Sequence, residues 1–283
     1  MKYLAIYRNR EKYSITTMCT FFEVSRSGYY DYVKRMEKPE RDEKWARVIA
    51  ECQEQCKKTY GYRRVQIWLY KVKGIHLNRK TVLRVMNKYG LLSEIRRRKK
   101  YKQAGQQSHI YENKLNRNFH AAKPNQKWVT DISYIHTAQG VLYLSVIRDL
   151  YDNSIVAYKT GTEQTVNLVL NTIRAAKKKE TVAAELHLHS DQGFQYTSHA
   201  YFDLTKEYNI TPSMSRAGNP LDNAMAENFF SILKSECIYR QKILSFEQAR
   251  QLIDDYIWFY NHERIQLKTK LTPLEKRRQL SVI

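Results

Sequence analysis

The spacing of apolar residues changes once along this chain, near Lys127, and that change limits the folds open to it. Upstream, hydrophobic positions recur only at helical intervals. Downstream, three successive runs alternate apolar and polar side chains: Trp128 to His136, Val141 to Ile147 and Ser154 to Lys159. Period-two alternation marks half-buried strands. The pattern then predicts a helix from Glu163 to about Lys178, a fourth strand from Glu185 to His189, a helix from about Ser198 to Tyr208 and a fifth strand from Ile210 to Met214. Helices at about Pro220 to Ile238 and Phe246 to Tyr260 complete the series. Consecutive strands, then strands alternating with helices, require an α/β fold with a mixed sheet, here preceded by an all-α region.

In the all-α region, Ser14 to Phe22 reads as a short helix, and Ser25 is a natural cap for a second one from Arg26 to Arg35. The pattern repeats further on. Val65, Trp68 and Leu69 lie at helical spacing within Arg63 to Lys71, Gly74 breaks that helix, and Asn78 caps another whose apolar positions are Val82, Val85 and Met86. Arg79, Lys80, Arg84 and Lys88 fall off that apolar stripe. A helix, a glycine turn and a cationic helix make a helix-turn-helix, whose second helix enters a DNA major groove. A helical hairpin with solvated lysines is the competing reading. Cys52 and Cys56 sit four apart with no histidine at zinc spacing, which points to core packing.

Charge sharpens the division. Of a net charge of +21, 29 basic and 11 acidic residues lie up to position 120, against 20 and 17 beyond it. The excess peaks between Gly61 and Lys102, where fourteen Lys and Arg face Glu94 alone. The run Arg96, Arg97, Arg98 suits phosphate contacts and a steep salt dependence. A basic front joined to a near-neutral back suggests a polyanion-binding region attached to something else. No apolar run reaches membrane-spanning length, and the first residues are too polar for a secretory signal. With four scattered cysteines and no disulfide framework, the chain is expected in the cytoplasm, associated with the nucleoid, and without a membrane partner. We divide it into a helix-turn-helix segment at 1–40, a second basic helix-turn-helix-like region at 41–102, a polar linker at 103–125 and an α/β core at 126–283.

Three acids in that core attract notice. Asp131 lies in the first predicted strand, and Asp191 directly follows the fourth, where sites gather in open α/β sheets. Glu227 rides the helix opened by Asn219-Pro220, on a polar stripe with Asn223, Ser231 and Lys234, opposite Ala226, Phe229, Phe230, Leu233 and Cys237. Two Asp and a Glu from separate elements suit a pair of Mg²⁺ ions, hard cations that activate an oxygen nucleophile and stabilise a departing oxygen at a phosphodiester. Two other readings stand beside this one. The three acids can be strand-end and helix-surface groups in ordinary hydrogen bonds, or His187, His189 and Asp191 can share a strand face as an iron or zinc site.

The motifs His189-Ser190-Asp191-Gln192-Gly193-Phe194-Gln195-Tyr196 and Gly218-Asn219, Asp222-Asn223-Ala224-Met225-Ala226-Glu227-Asn228-Phe229-Phe230, Leu233-Lys234 resemble the OrfB-type transposases of bacterial insertion sequences. Trp128-Val129-Thr130-Asp131-Ile132-Ser133-Tyr134, Tyr260-Asn261-His262-Glu263-Arg264 and Leu271-Thr272-Pro273 extend the likeness, as do Ser25-Arg26-Ser27-Gly28-Tyr29-Tyr30 and Tyr60-Gly61-Tyr62-Arg63-Arg64 near the front. The resemblance covers nearly the whole chain. Pro220-Leu221 replaces the Cys-Tyr of many relatives, and Phe194 a commoner Ser or Trp.

The resemblance implies a ribonuclease-H-like, retroviral-integrase-like (DDE) core that cuts and joins double-stranded DNA at element ends and target. Asp131, Asp191 and Glu227 would be catalytic and would hold two Mg²⁺ (or Mn²⁺) ions. Lys234 would contact DNA, and His189 and Asn223 would support the carboxylates from behind. A homo-oligomer on DNA and the product of an upstream reading frame are the implied partners, this chain starting inside the second frame. A non-catalytic DNA-binding regulator and a ribonuclease-H-like nuclease are the alternatives.

Overall fold

The computed structural model describes residues 1–37, 42–94, 111–182, 185–216 and 219–279. Helices α1 (Lys2–Arg8), α2 (Ile15–Phe21) and α3 (Arg26–Glu37) come first, packed around Ile6, Met18, Cys19 and Tyr29. Ser25 Oγ accepts the Gly28 amide at 3.1 Å and so caps α3. Helix α1 had no sequence signal, since a single turn or two of mixed residues carries little periodicity. Three further helices follow, α4 (Glu43–Gln55), α5 (Tyr62–Lys73) and α6 (Arg79–Lys88). Gly74 ends α5 in the left-handed region at φ 64°, and Asn78 Oδ1 accepts the Lys80 amide at 2.9 Å to start α6. Val65, Trp68, Leu69, Val82, Val85 and Met86 close on Ile49, Cys52 and Cys56, so both cysteines are free thiols in the core.

The sheet has five strands in the order β3-β2-β1-β4-β5. Strands β1 (Lys127–Thr137), β2 (Gly140–Asp149) and β3 (Ile155–Gly161) form an antiparallel meander. Strands β4 (Leu186–Ser190) and β5 (Ile210–Met214) add in parallel beside β1, each reached through a crossover helix, α7 (Val166–Lys179) or α8 (His199–Glu207). Trp128, Ile147, Leu186 and Leu188 turn to α7 and α8, while Ile135, Leu142, Leu144 and Val146 turn to α9 (Ala224–Glu236) and α10 (Phe246–His262). Helices on both faces of a mixed sheet give the expected ribonuclease-H-like layering.

Three details differ from the sequence reading. Asn219 and Pro220 open a short 3-10 turn, Pro220–Asn223, and the α-helix carrying Glu227 begins only at Ala224. Its end comes at Glu236, leaving Cys237 just beyond it and half-buried. The polar stretch read as a linker is, from Tyr111 onward, irregular but docked: Leu115 and Ala121 are buried with Val129, Leu150 and Ala226. Its backbone bonds explain the docking, with Lys114 N–H donating to Ser213 Oγ at 3.0 Å and Asn125 N–H to Asp149 Oδ2 at 2.7 Å. A last helix, α11 (Pro273–Gln279), was not anticipated. Arg96, Arg97 and Arg98 lie outside the described residues.

Candidate active site

Strand β4 pairs with β1 only from Lys127 to Val129, so the two strands part just before Asp131. Asp191 directly follows β4, and Glu227 stands in the first turn of α9, which packs on β1 through Phe229, Phe230 and Leu233. The three acids thus come from three elements around the point where β1 and β4 part, near enough for Asp131 to feel the charge of both others. A backbone amide holds one oxygen of each aspartate: Ile132 N–H bonds Asp131 Oδ1 at 2.7 Å, and Gly193 N–H bonds Asp191 Oδ1 at 2.9 Å. A Cβ on Gly193 would lie 3.0 Å from both Asp191 Oδ1 and Gln195 Oε1, which accounts for glycine at this position.

Burial first, then the charge of Asp191, raises the Asp131 carboxyl well above the ordinary range; the Ile132 amide opposes this, Glu227 adds to it, and Lys234 opposes it. Burial also raises Asp191 and Glu227, the latter further through Asp191. Such a cluster of mutually repelling carboxylates lacks positive charge. Lys234 supplies a little: its half-buried ammonium lies 4.8 Å from the Tyr134 ring centroid and interacts with Asp131. It is therefore not a solvated lysine. Among the described residues, no three His, Cys, Asp or Glu side chains converge closely enough to ligate one ion.

His189 is fully buried, with Nδ1 2.9 Å from Ser213 Oγ and Nε2 3.3 Å from Ser215 Oγ. With both ring nitrogens engaged, the iron or zinc alternative for His187, His189 and Asp191 falls. His189 instead fastens β4 to β5 behind Asp191, helped by Gln192 Nε2 donating to Ser215 O at 2.8 Å. Asn223 sits one turn before Glu227, 3% exposed, and among the described residues its Oδ1 meets no hydrogen-bond partner.

Sequence reasoning missed Asp222. Its buried carboxylate accepts from Arg216 Nε at 2.8 Å, Arg117 Nε at 2.9 Å and Asn113 Nδ2 at 2.9 Å. Arg216 first, and Arg117 as well, hold it far below the usual carboxylate range against the cost of burial. This clamp ties the turn ahead of α9 to the docked 111–125 stretch. Arg148, buried in β2, donates to Met225 O in the first turn of α9. Both place Glu227, and neither had a local signal, because the partners lie up to 109 residues apart in sequence.

In the front half, Arg79, Lys80, Arg84 and Lys88 all lie exposed on α6. Arg84 forks onto Asp42 at the start of α4, with Nη2 2.9 Å from Oδ1, and Lys88 lies 4.0 Å from the same carboxylate. Arg79 Nε donates to Gln66 Oε1 at 3.1 Å.

A mixed five-stranded sheet with helices on both faces, together with the family matches that follow, defines the class: a DDE-type polynucleotidyl transferase with an integrase core. The integrase core domain family matches residues 121–220 and again 227–280, and an HTH-like domain matches residues 40–99. The putative transposase InsK for insertion sequence element IS150 of Escherichia coli K12 is 36% identical over 271 residues, 95% of each chain. The transposase InsF for insertion sequence IS3A of the same strain is 31% identical over 264 residues, 91% of each chain. A chain of a simian T-cell lymphotropic virus intasome shares the fold, with a TM-score of 0.50 and 15% identity over 75% of this chain and 74% of that one. The chain belongs to the OrfB-type transposases of bacterial insertion sequences. It is a transposition enzyme whose HTH-like and integrase domains imply DNA binding. No helix among the described residues is long and apolar enough to cross a membrane.

Proposed function

We propose that this chain cuts DNA strands at the ends of its insertion sequence and joins them to a target, with Asp131, Asp191 and Glu227 as the catalytic, metal-holding carboxylates. The observation that carries this is the placement of three acids on three elements around the point where β1 and β4 part, with Asp131 and Glu227 each feeling the charge of Asp191. The donor set is all oxygen and carries excess negative charge, which fits Mg²⁺ or Mn²⁺ better than a softer ion. Mg²⁺ is ordinarily held by one or two carboxylates plus water and phosphate. Asp131, Asp191 and Glu227 would be the carboxylates that hold such ions. When bound, the ion pair would activate water or a DNA 3′-OH for attack and stabilise the leaving oxygen.

The protein's own groups prepare that chemistry. The Ile132 and Gly193 amides hold one oxygen of each aspartate, and the Asp222 and Arg148 contacts anchor the start of α9, the helix that carries Glu227. Lys234 holds end DNA through a phosphate and does no proton transfer, while its bond to the Tyr134 face keeps it at the cleft. Exposed cations on α6, above all Lys80, contact duplex DNA. His189 and Asn223 act through the frame around Asp191 and Glu227. We infer a homo-oligomer on DNA, joined by the product of the upstream reading frame, acting on the nucleoid in the cytoplasm. Incubating the protein with its flanking element-end DNA and Mg²⁺ tests the proposal: new 3′ ends and joined products are expected, and neither appearing with Mg²⁺ or Mn²⁺ would refute it.

A further inference from the structure

Two motifs take no part in the chemistry described so far: Tyr60-Gly61-Tyr62-Arg63-Arg64 and Tyr260-Asn261-His262-Glu263-Arg264. Tyr60 and Glu263 lie 203 residues apart in sequence, yet the two motifs meet, because Tyr60 and Arg64 bond the backbone at Glu263 and Ile265. Both motifs also converge on one buried carboxylate, Glu236, the last residue of α9. Arg264 forks onto it, with Nε 2.8 Å from Oε2 and Nη2 2.7 Å from Oε1. Tyr256 Oη donates to Oε2 at 2.7 Å, and Arg64 Nη1 lies 3.9 Å from Oε1.

Stability alone does not call for this cluster. A carboxylate at a helix C-terminus opposes the helix dipole. The side chains of Glu236 and Arg264 are only 5% and 6% exposed, and two guanidiniums share a single carboxylate. Burial pushes the Glu236 carboxyl up, but Arg264, then Tyr256 and Arg64, carry it below the ordinary range. Apolar side chains of similar volume often hold a fold as well as such a buried ion cluster, or better. What they lack is direction. The Arg264 fork and the Tyr256 hydroxyl accept Glu236 in one orientation only, and so fix where the end of α9 stands.

Helix α9 carries Glu227 nine residues before Glu236, about 13.5 Å along the axis, and Lys234 two residues before it. Asp222 and Arg148 anchor the start of the same helix. It is therefore pinned at both ends, and the pin at the far end includes Arg64 of α5, in the HTH-like region. We propose that Glu236 is a positioning residue for DNA strand cleavage, its cluster with Arg64 and Arg264 setting the register of α9 and so of Glu227 and Lys234. This rests on the reading of Glu227 as a metal-holding carboxylate. Glu236 acts through α9, and the HTH-like region thereby becomes part of the frame of the active site.

The test uses the full-length protein, its element-end duplex and Mg²⁺. Arg64→Met, Glu236→Leu, Tyr256→Phe and Arg264→Met combined replace the cluster with apolar bulk. The urea midpoint should match wild type or exceed it, and gel-shift affinity for the duplex should persist. Cleavage at saturating duplex and Mg²⁺ should fall on the order of 100-fold. The Mg²⁺ needed for half-maximal cleavage should rise on the order of 10-fold. A folded fourfold variant with wild-type cleavage and Mg²⁺ demand would overturn the proposal and leave the cluster a purely stabilising role. Should that variant fail to fold, two changes at Arg64 decide. Arg64→Met should slow cleavage at saturating duplex without weakening duplex binding, and Arg64→Lys should recover part, because a point charge still meets Glu236. Unchanged cleavage and Mg²⁺ demand in Arg64→Met would overturn the proposal. Glu227→Ala cleaving at the wild-type rate would overturn the underlying reading as well.

Discussion

Replacing Asp131, Asp191 or Glu227 with alanine is expected to reduce cleavage and joining on the order of 10³-fold or more, the scale of losing a metal's charge stabilisation. DNA retention should persist, because the cationic surface of α6 lies on a different element; a gel-shift and a strand-cleavage assay on the same preparations check both. Lys234→Ala should lower joining more than nicking, and Lys234→Arg should recover part, since either cation can meet a phosphate. Wild-type yields of both products from Lys234→Ala would refute that role. Asp222 gives a pH signature. Its folded pKa is depressed by Arg216 and Arg117, so its contribution is present above the ordinary carboxylate pKa of about 4 and is lost as pH falls towards the folded value. Asp222→Asn should cost about 2 kcal/mol at neutral pH, discounted for the half-exposed arginines. The urea midpoints of variant and wild type should converge in acid. The three candidate acids were readable because each sits in a local motif, whereas the clamp on Asp222 was not, because one of its arginines lies 105 residues upstream.

At the scale of elements, the five strands and helices α5 to α10 followed from periodicity, while α4 and α11 did not. Helix α11 is short and charged, and tertiary pairing holds it in place. Arg277 on it reaches Asp149 at 2.5 Å, Asp152 at 2.6 Å and Glu180 at 2.6 Å, the first two with fully buried side chains. Arg277→Ala would strand those buried charges and is expected to destabilise the fold by about 3–5 kcal/mol. Arg277→Lys should recover only part, lacking the planar fork. Denaturant midpoints of the two variants measure this, and a shift within error for Arg277→Ala would refute the strap. On α6 the cations came out exposed as the stripe predicted. Their availability did not follow from the stripe, because Arg84 pairs with an aspartate that precedes it by 42 residues.

Over the whole molecule, charge suggests a front and a back half, and the core crosses that line. Tyr60 Oη donates to Glu263 O at 2.9 Å and accepts from Ile265 N–H at 2.8 Å, and Arg64 Nε donates to Ile265 O at 2.9 Å. Val65, Trp68 and Met86 share one apolar cluster with Leu233 and Ile257. A fragment ending near residue 105 would expose that cluster. It is expected to unfold without a sharp transition in urea, whereas the full chain shows one. A cooperative fragment would show that α4–α6 stands alone. The coupling also holds the HTH-like region at a fixed distance from the acid cleft.

The sequence by itself determined the family and the order of the five strands, and it singled out the three candidate acids, because these depend on local periodicity and on motifs a few residues long. Tertiary structure alone decided what those elements do to one another. It turned the tail of the polar linker into a docked segment, committed Arg84 and Lys88 to Asp42, and drew Lys234 over Tyr134. It also raised the carboxylates' pKa values by burying them together. The physical reason is range. Periodicity reports which face of an element is apolar, whereas burial, ion pairing and electrostatic repulsion depend on side chains brought together from distant positions in the chain.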